Sequence, residues 1–167
     1  AAFSPADALR VFVLAALCGI VSILFCAVLK YTAFCYKKCF RNRFLRAACG
    51  GLLILVFTLI LDSQEYLGAG ISTISRAFDG DAEPLVFVLK ILFTAVTLKA
   101  GFQGGEIVPA FCVGATFGCT MGALLGLHPS FGAAVGMIAL FCGVTNCPVA
   151  SLLLSLELFG SANILWY

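Results

Sequence analysis

The sequence predicts an all-α integral membrane protein built from tilted and broken helices. Three observations carry this. The 167 residues are 62% hydrophobic and 11% charged, with a mean hydropathy of +1.12. A soluble domain of this length could not hide that much apolar surface. The net charge of +2 divides into a basic segment and an acidic one on either side of an apolar run. Finally, the later apolar segments are short and interrupted at 101–106 and 143–148, where glycine and proline gather. Non-helical backbone at membrane depth is tolerated only where it is buried in protein or lines a cavity.

The elements follow in order. Asp7 to Leu29 reads as one long membrane helix, with Ser4-Pro5 before it as cap and first-turn proline. About 20 apolar residues span a bilayer, and Ala8 to Leu29 supplies them with only Arg10 near the end. Residues 30–46 read as a basic loop. Lys30, Lys37, Lys38, Arg41, Arg43 and Arg46 are six of the ten basic residues. Ala47 to Leu61 is the return helix, with Arg46 placed to snorkel at its start. Asp62 to Glu83 is polar and holds five of the eight acids. It contains Gly68-Ala-Gly70 and a short amphipathic piece, Ile71 to Phe78. The positive-inside rule places the basic loop in the cytoplasm and the acidic segment outside.

Glu83-Pro84 restarts a helix that runs to about Lys99. After the first break, a helix is expected from about Glu106 to Leu125, with Pro109 in its first turn. Gly114, Gly118, Gly122 and Gly126 recur every fourth residue on it, a stripe that lets another backbone approach closely. Leu127 to Ser130 is a turn, and Phe131 to Cys142 a further helix. Gly143 to Pro148 is the second break. Val149 to Phe159 is the next helix, with Pro148 near its start and Thr145 or Asn146 as its cap. Interrupted segments of this kind mark transporters whose broken helices meet near the midplane. Both ends of the chain read as cut, so it is expected to be part of a longer protein.

Several function classes are disfavoured. The basic run is short and flanked by lipid-grade sequence, which argues against nucleic acid. Nine cysteines form no CxxC pair and read as small hydrophobes between helices, although Cys35 and Cys39 are one turn apart. With a single histidine, His128, in a turn, a Cys/His metal site is not expected. No cofactor is expected. No nucleophile–base pair and no HExxH or GxSxG stands in the chain, so an enzyme is not expected.

The most informative stretch is Gly101-Phe-Gln-Gly-Gly-Glu-Ile-Val-Pro-Ala-Phe111. A glycine-rich break carries a carboxylate and opens directly into a helix. The start of that helix presents free N–H groups and the positive end of its dipole. Together these describe an anion site inside a membrane. Glu106 is costly at membrane depth, by ~2.5–3.5 kcal/mol on insertion scales, and so is a functional candidate. Its expected role is proton uptake coupled to anion movement. The alternative is a first-turn glutamate that satisfies orphan amides. Lys90 is expected to attract anions, to pair with Glu106, Glu157 or a carboxylate outside the chain, or to line a vestibule. Lys99 is expected at an interface, adding positive potential, and Glu157 in a structural role.

These residues resemble a known family. Phe102 to Gly118 resembles the G-x-F-x-P segment and following helix of the CLC chloride channels and anion/proton exchangers. Tyr66-Leu-Gly-Ala-Gly-Ile71 is similar to the family's upstream glycine turn, and Lys90 stands where the family often has a basic residue. Cys142 to Glu157 resembles its later R-A-P-L-T…LE helix pair. Three segments in register cover essentially the whole chain. The resemblance implies a CLC-type bundle and only the second of its two inverted repeats, with residues 1–167 forming the C-terminal half of the transmembrane domain. It also implies a halide held by backbone amides at Gly105, Glu106, Ile107 and Val108, exchange for protons, and a homodimer in the cell membrane. The serine loop and gating glutamate of the family's first half, and its later pore tyrosine, would lie outside this chain, in the missing half and beyond Tyr167. The motif reads G-G-E-I-V-P rather than the chloride-type G-G-I-F-A-P. A glutamate at position 106 is similar to the fluoride/proton antiporter branch, which often has threonine where this chain has Val108. A different reading is a membrane scaffold or degenerate half-transporter that conducts nothing.

Overall fold

The computed structural model describes residues 5–39, 42–61, 70–102 and 104–160. Seven helices are assigned among them: α1 (Pro5–Cys39), α2 (Arg43–Leu61), α3 (Ile71–Phe78), α4 (Val86–Ala100), α5 (Ile107–Leu124), α6 (Pro129–Thr145) and α7 (Pro148–Phe159). Residues 66–69 of the glycine turn, Gln103, and the terminal stretch from 161 lie outside the described residues.

The core forms where α1, α4, α5 and α6 meet. Leu14, Cys18, Val21, Phe25 and Leu29 recur at three- and four-residue spacing, one stripe of α1. They pack with Ile91 and Ala95 of α4, Ala110, Val113 and Phe117 of α5, and Leu140 of α6. Phe87 meets Phe117 edge-on, with ring centroids 5.2 Å apart. Cys18, Cys112 and Cys119 are buried, as small core residues. A smaller cluster joins Ala77 of α3 to Ala115 and Cys119 of α5 and to Ala133 and Met137 of α6.

Among the described residues α5 and α6 make the most extensive helix pair, and glycine lets them approach closely. A Cβ at Gly114 would stand 2.6 Å from the Gly136 carbonyl oxygen. One at Gly122 would stand 2.8 Å from the Gly132 Cα. The stripe expected on α5 therefore has a matching pair on α6, Gly132 and Gly136. Gly126 does not belong to it. It closes the turn after α5 with φ +75° and faces Arg10 of α1.

Outside the core the surface is greasy. Leu9, Phe12, Ile20 and Ile23 of α1, Leu52, Leu55 and Leu59 of α2, and Val149, Leu152 and Leu153 of α7 are all more than 60% exposed. Apolar bands of this size mark contact with a membrane or with other protein. Two helices, Asp7–Cys39 and Ile107–Leu124, are long and apolar enough to cross a membrane.

The basic segment is not a loop. α1 runs ten residues past Leu29, and Lys30, Lys37 and Lys38 stand on its last turns. No glycine or proline interrupts residues 20–48, and Tyr31, Phe34 and Tyr36 keep an apolar component on the helix. The 35 residues of α1 extend about 52 Å, well beyond the ~30 Å hydrocarbon core, so its basic end can stand outside the bilayer. α2 starts earlier than expected, at Arg43. Charge still sorts by end. Asp79, Asp81 and Glu83 follow α3, beside the start of α6, where Gly80 meets Pro129. The end of α1, the start of α2 and the end of α4 meet at the opposite side, where Gly50 packs on Ala100 and Tyr36.

Candidate functional site at the α4–α5 break

The site is built where α4 stops. α4 has 15 residues and reaches about 22 Å, too short to cross the hydrocarbon core. Gly101 ends it with φ +110°, a left-handed conformation that glycine adopts without a Cβ penalty. The last-turn carbonyl of Ala100 accepts from Arg46 Nε of α2 at 3.2 Å. That guanidinium satisfies an orphan carbonyl and complements the negative end of the α4 dipole.

α5 starts at Ile107, with Glu106 as its cap residue. Position N3 is Pro109, which has no N–H. The amide of Ala110 donates to the Glu106 carbonyl at 3.1 Å. The N–H groups of Ile107 and Val108 are therefore the first-turn donors left at this end. The Glu106 side chain makes no capping hydrogen bond to them. A Cβ added to Gly105 meets nothing within 4 Å among the described residues.

The Glu106 side chain goes elsewhere. Its Oε1 accepts from Lys99 Nζ at 2.8 Å, across the break. The carboxylate thus does not satisfy the α5 amides, as the first-turn alternative required. Its side chain is 44% exposed and that of Lys99 27%. A pair this open is worth only about 0–1 kcal/mol. Gly105, Glu106, Ile107 and Val108 stand consecutively at this opening. Lys99 and Arg46 join them there, neither of which was singled out as a site residue. Their signal was spacing: Lys99 ends one segment and Glu106 begins the next, seven residues later.

Lys90 is not part of this cluster. It is 2% exposed, in the body of α4. A Cβ on Gly70 would stand 3.0 Å from both its Nζ and the Cys112 Sγ. Glu106 is engaged by Lys99, and Glu157 lies exposed on α7, so neither carboxylate expected for Lys90 serves it here. The second break also differs from expectation. Asn146 takes φ 54° and closes the end of α6 through its own N–H to the Cys142 carbonyl. Thr145 bonds back to Phe141. Neither caps α7, whose cap residue is Cys147. His128 precedes α6 in extended conformation, with Pro129 as the first helical residue.

Comparison with known proteins adds a second line of evidence. The family described as Voltage gated chloride channel matches residues 1–167. A chloride/fluoride channel protein of Pseudomonas syringae pv. tomato is 35% identical over 148 residues, covering 85% of this chain and 33% of the relative. An uncharacterized protein of Methanocaldococcus jannaschii is 27% identical over 156 residues, 84% of this chain and 38% of the relative. The crystal structure of a CLC-type fluoride/proton antiporter superposes with a TM-score of 0.92 at 28% identity, covering 96% of this chain and 41% of that one. The chain spans about a third of the length of the curated relatives it matches.

Proposed function

The chain belongs to the voltage-gated chloride channel family, CLC, and from that membership we propose that it forms the second repeat of a halide transporter that exchanges its anion for protons. One observation carries the reading: the cap residue Glu106 does not turn its carboxylate to the first-turn amides of α5 but engages Lys99 instead. Backbone N–H groups at a helix start hold a small anion without a counter-cation of their own. Ile107 and Val108 donate to it, and Gly105 leaves room for it. Selectivity rests on the fit and field of those donors. Glu106 carries the proton. The rest of the pore comes from a preceding half of the same protein, and two copies assemble in the cell membrane with the basic end of α1 on the cytoplasmic side.

The ion is fluoride rather than chloride. A glutamate at the cap of α5 supports this, as does the likeness to a fluoride/proton antiporter. The test is flux from liposomes. The full-length protein is reconstituted, loaded with fluoride or chloride, and followed with an ion electrode and a pH electrode together. Halide release that drives protons in the opposite direction supports the reading. Absence of halide flux in the intact protein contradicts it and leaves a non-conducting scaffold.

A further inference from the structure

The pair that bridges the glycine break has no role in anion binding by backbone amides alone. Lys99 stands in the last turn of α4, and Glu106 caps α5. Their side chains meet at 2.8 Å. Three observations set the character of this contact. Arg46, a second described cation at the break, donates its Nε to the Ala100 carbonyl, while the carboxylate is held by Lys99. Neither partner is fully buried within the chain, at 27% and 44% exposed, and a pair this open is held only weakly. The carboxylate also makes no capping hydrogen bond to the Ile107 and Val108 amides, so an anion there need not displace it from them.

We propose that Lys99 is a movable counter-charge that exchanges the Glu106 carboxylate for the transported anion. The proposal rests on reading the start of α5 as a halide site. With the site empty, the ammonium holds the carboxylate. A proton arriving from water settles on a Glu106 carboxylate oxygen and removes its charge. The ammonium is then left without a counter-ion beside the first-turn amides. A halide entering there restores the balance: one negative charge has been neutralised and one has arrived. Proton uptake and anion entry thereby favour each other, since each improves the conditions for the other. Among the described residues, the charged groups with a contact at the break are Lys99 on α4, Arg46 on α2 and Glu106 itself. Arg46 stays fixed to the Ala100 carbonyl and supplies a constant field, while Lys99 moves. Lys99 is in this sense a positioning residue for the coupled proton and a direct partner of the anion.

The experiment uses the full-length protein in liposomes, with fluoride as the probe ion and proton movement recorded alongside. Lys99→Met is expected to lower the protons moved per fluoride and to raise the half-saturating fluoride concentration about fivefold. Lys99→Arg is expected to restore both. Lys99→Gln keeps a hydrogen-bond donor for Glu106 but no charge, so a merely structural tie would survive in it; it is expected to behave as Lys99→Met. If Lys99→Met does not fold, Lys99→Gln alone decides. Wild-type stoichiometry and half-saturation in Lys99→Gln overturn the proposal while leaving halide transport intact. A wild-type protein that moves no halide overturns the transport reading first, and this proposal falls with it.

Discussion

Gly118 of α5 and Gly136 of α6 face each other backbone to backbone; a Cβ on Gly118 would stand 2.8 Å from the Gly136 Cα. The Gly132 carbonyl oxygen closes the same space. A side chain here would have to push two helices apart. Gly118→Leu is expected to destabilise the protein by at least ~1–3 kcal/mol, the range for overpacked interiors. Gly19 is the control. It is also helical, but a Cβ there meets nothing within 4 Å. Gly19→Ala is expected to be neutral or to stabilise by up to ~1 kcal/mol. Thermal unfolding in detergent reads both. A fully stable Gly118→Leu would remove the close approach from the account.

Arg46 ties α2 to the end of α4. It is the link between the basic end of the molecule and the break. A hydrogen bond from a charged donor contributes about 1.5–3 kcal/mol, and Arg46→Met also leaves the Ala100 carbonyl without this partner. The expected result is a lower unfolding temperature with the family fold retained. An unchanged midpoint would show that the contact contributes nothing in the membrane protein.

Gly70 caps α3 with φ +80°. The left-handed conformation costs a non-glycine residue roughly 1–2 kcal/mol. A methyl there would also press on Lys90 and Cys112. Gly70→Ala is expected to lower the thermal midpoint more than Gly104→Ala, whose new Cβ meets only the flexible end of Leu98, at 3.1 Å. Equal midpoints would count against a packed Lys90.

Gly105 separates binding from folding. Its position has room for a Cβ, so Gly105→Leu is expected to fold normally. The longer side chain would stand over the Ile107 and Val108 amides and abolish halide flux. Wild-type flux in a folded Gly105→Leu protein would move the anion site elsewhere.

Much of this was legible in the chain. Pro109 and Pro148 mark helix starts because a residue without an N–H is tolerated in the first turn; Pro129, expected in a turn before a helix at Phe131, opens α6 in the same way. The bounds of α3 and the body of α7 follow from flanking glycine and proline. The break at 101–106 stood out because Gly101, Gly104 and Gly105 crowd beside a carboxylate. What escaped the sequence was of two kinds. The end of α1 looks like a loop because Lys30, Lys37 and Lys38 are polar, yet nothing there breaks a helix, and the helix is longer than the bilayer is thick. The other misses are contacts between distant elements. Gly132 and Gly136 show their purpose only opposite α5. Asn146 closes α6 rather than opening α7, a choice made by its left-handed backbone. Lys99 finds Glu106 only once the break folds back, and Arg46 meets Ala100 across 54 positions.

The central claim is that Glu106 couples protons to an anion held by the amides beside it. The most direct test is the ratio of protons to fluoride moved by full-length Glu106→Gln in liposomes, measured beside the wild type. The glutamine keeps the size of the side chain but takes up no proton in its place. The account predicts fluoride flux that persists or slows while proton movement is lost. An unchanged proton-to-fluoride ratio would contradict it.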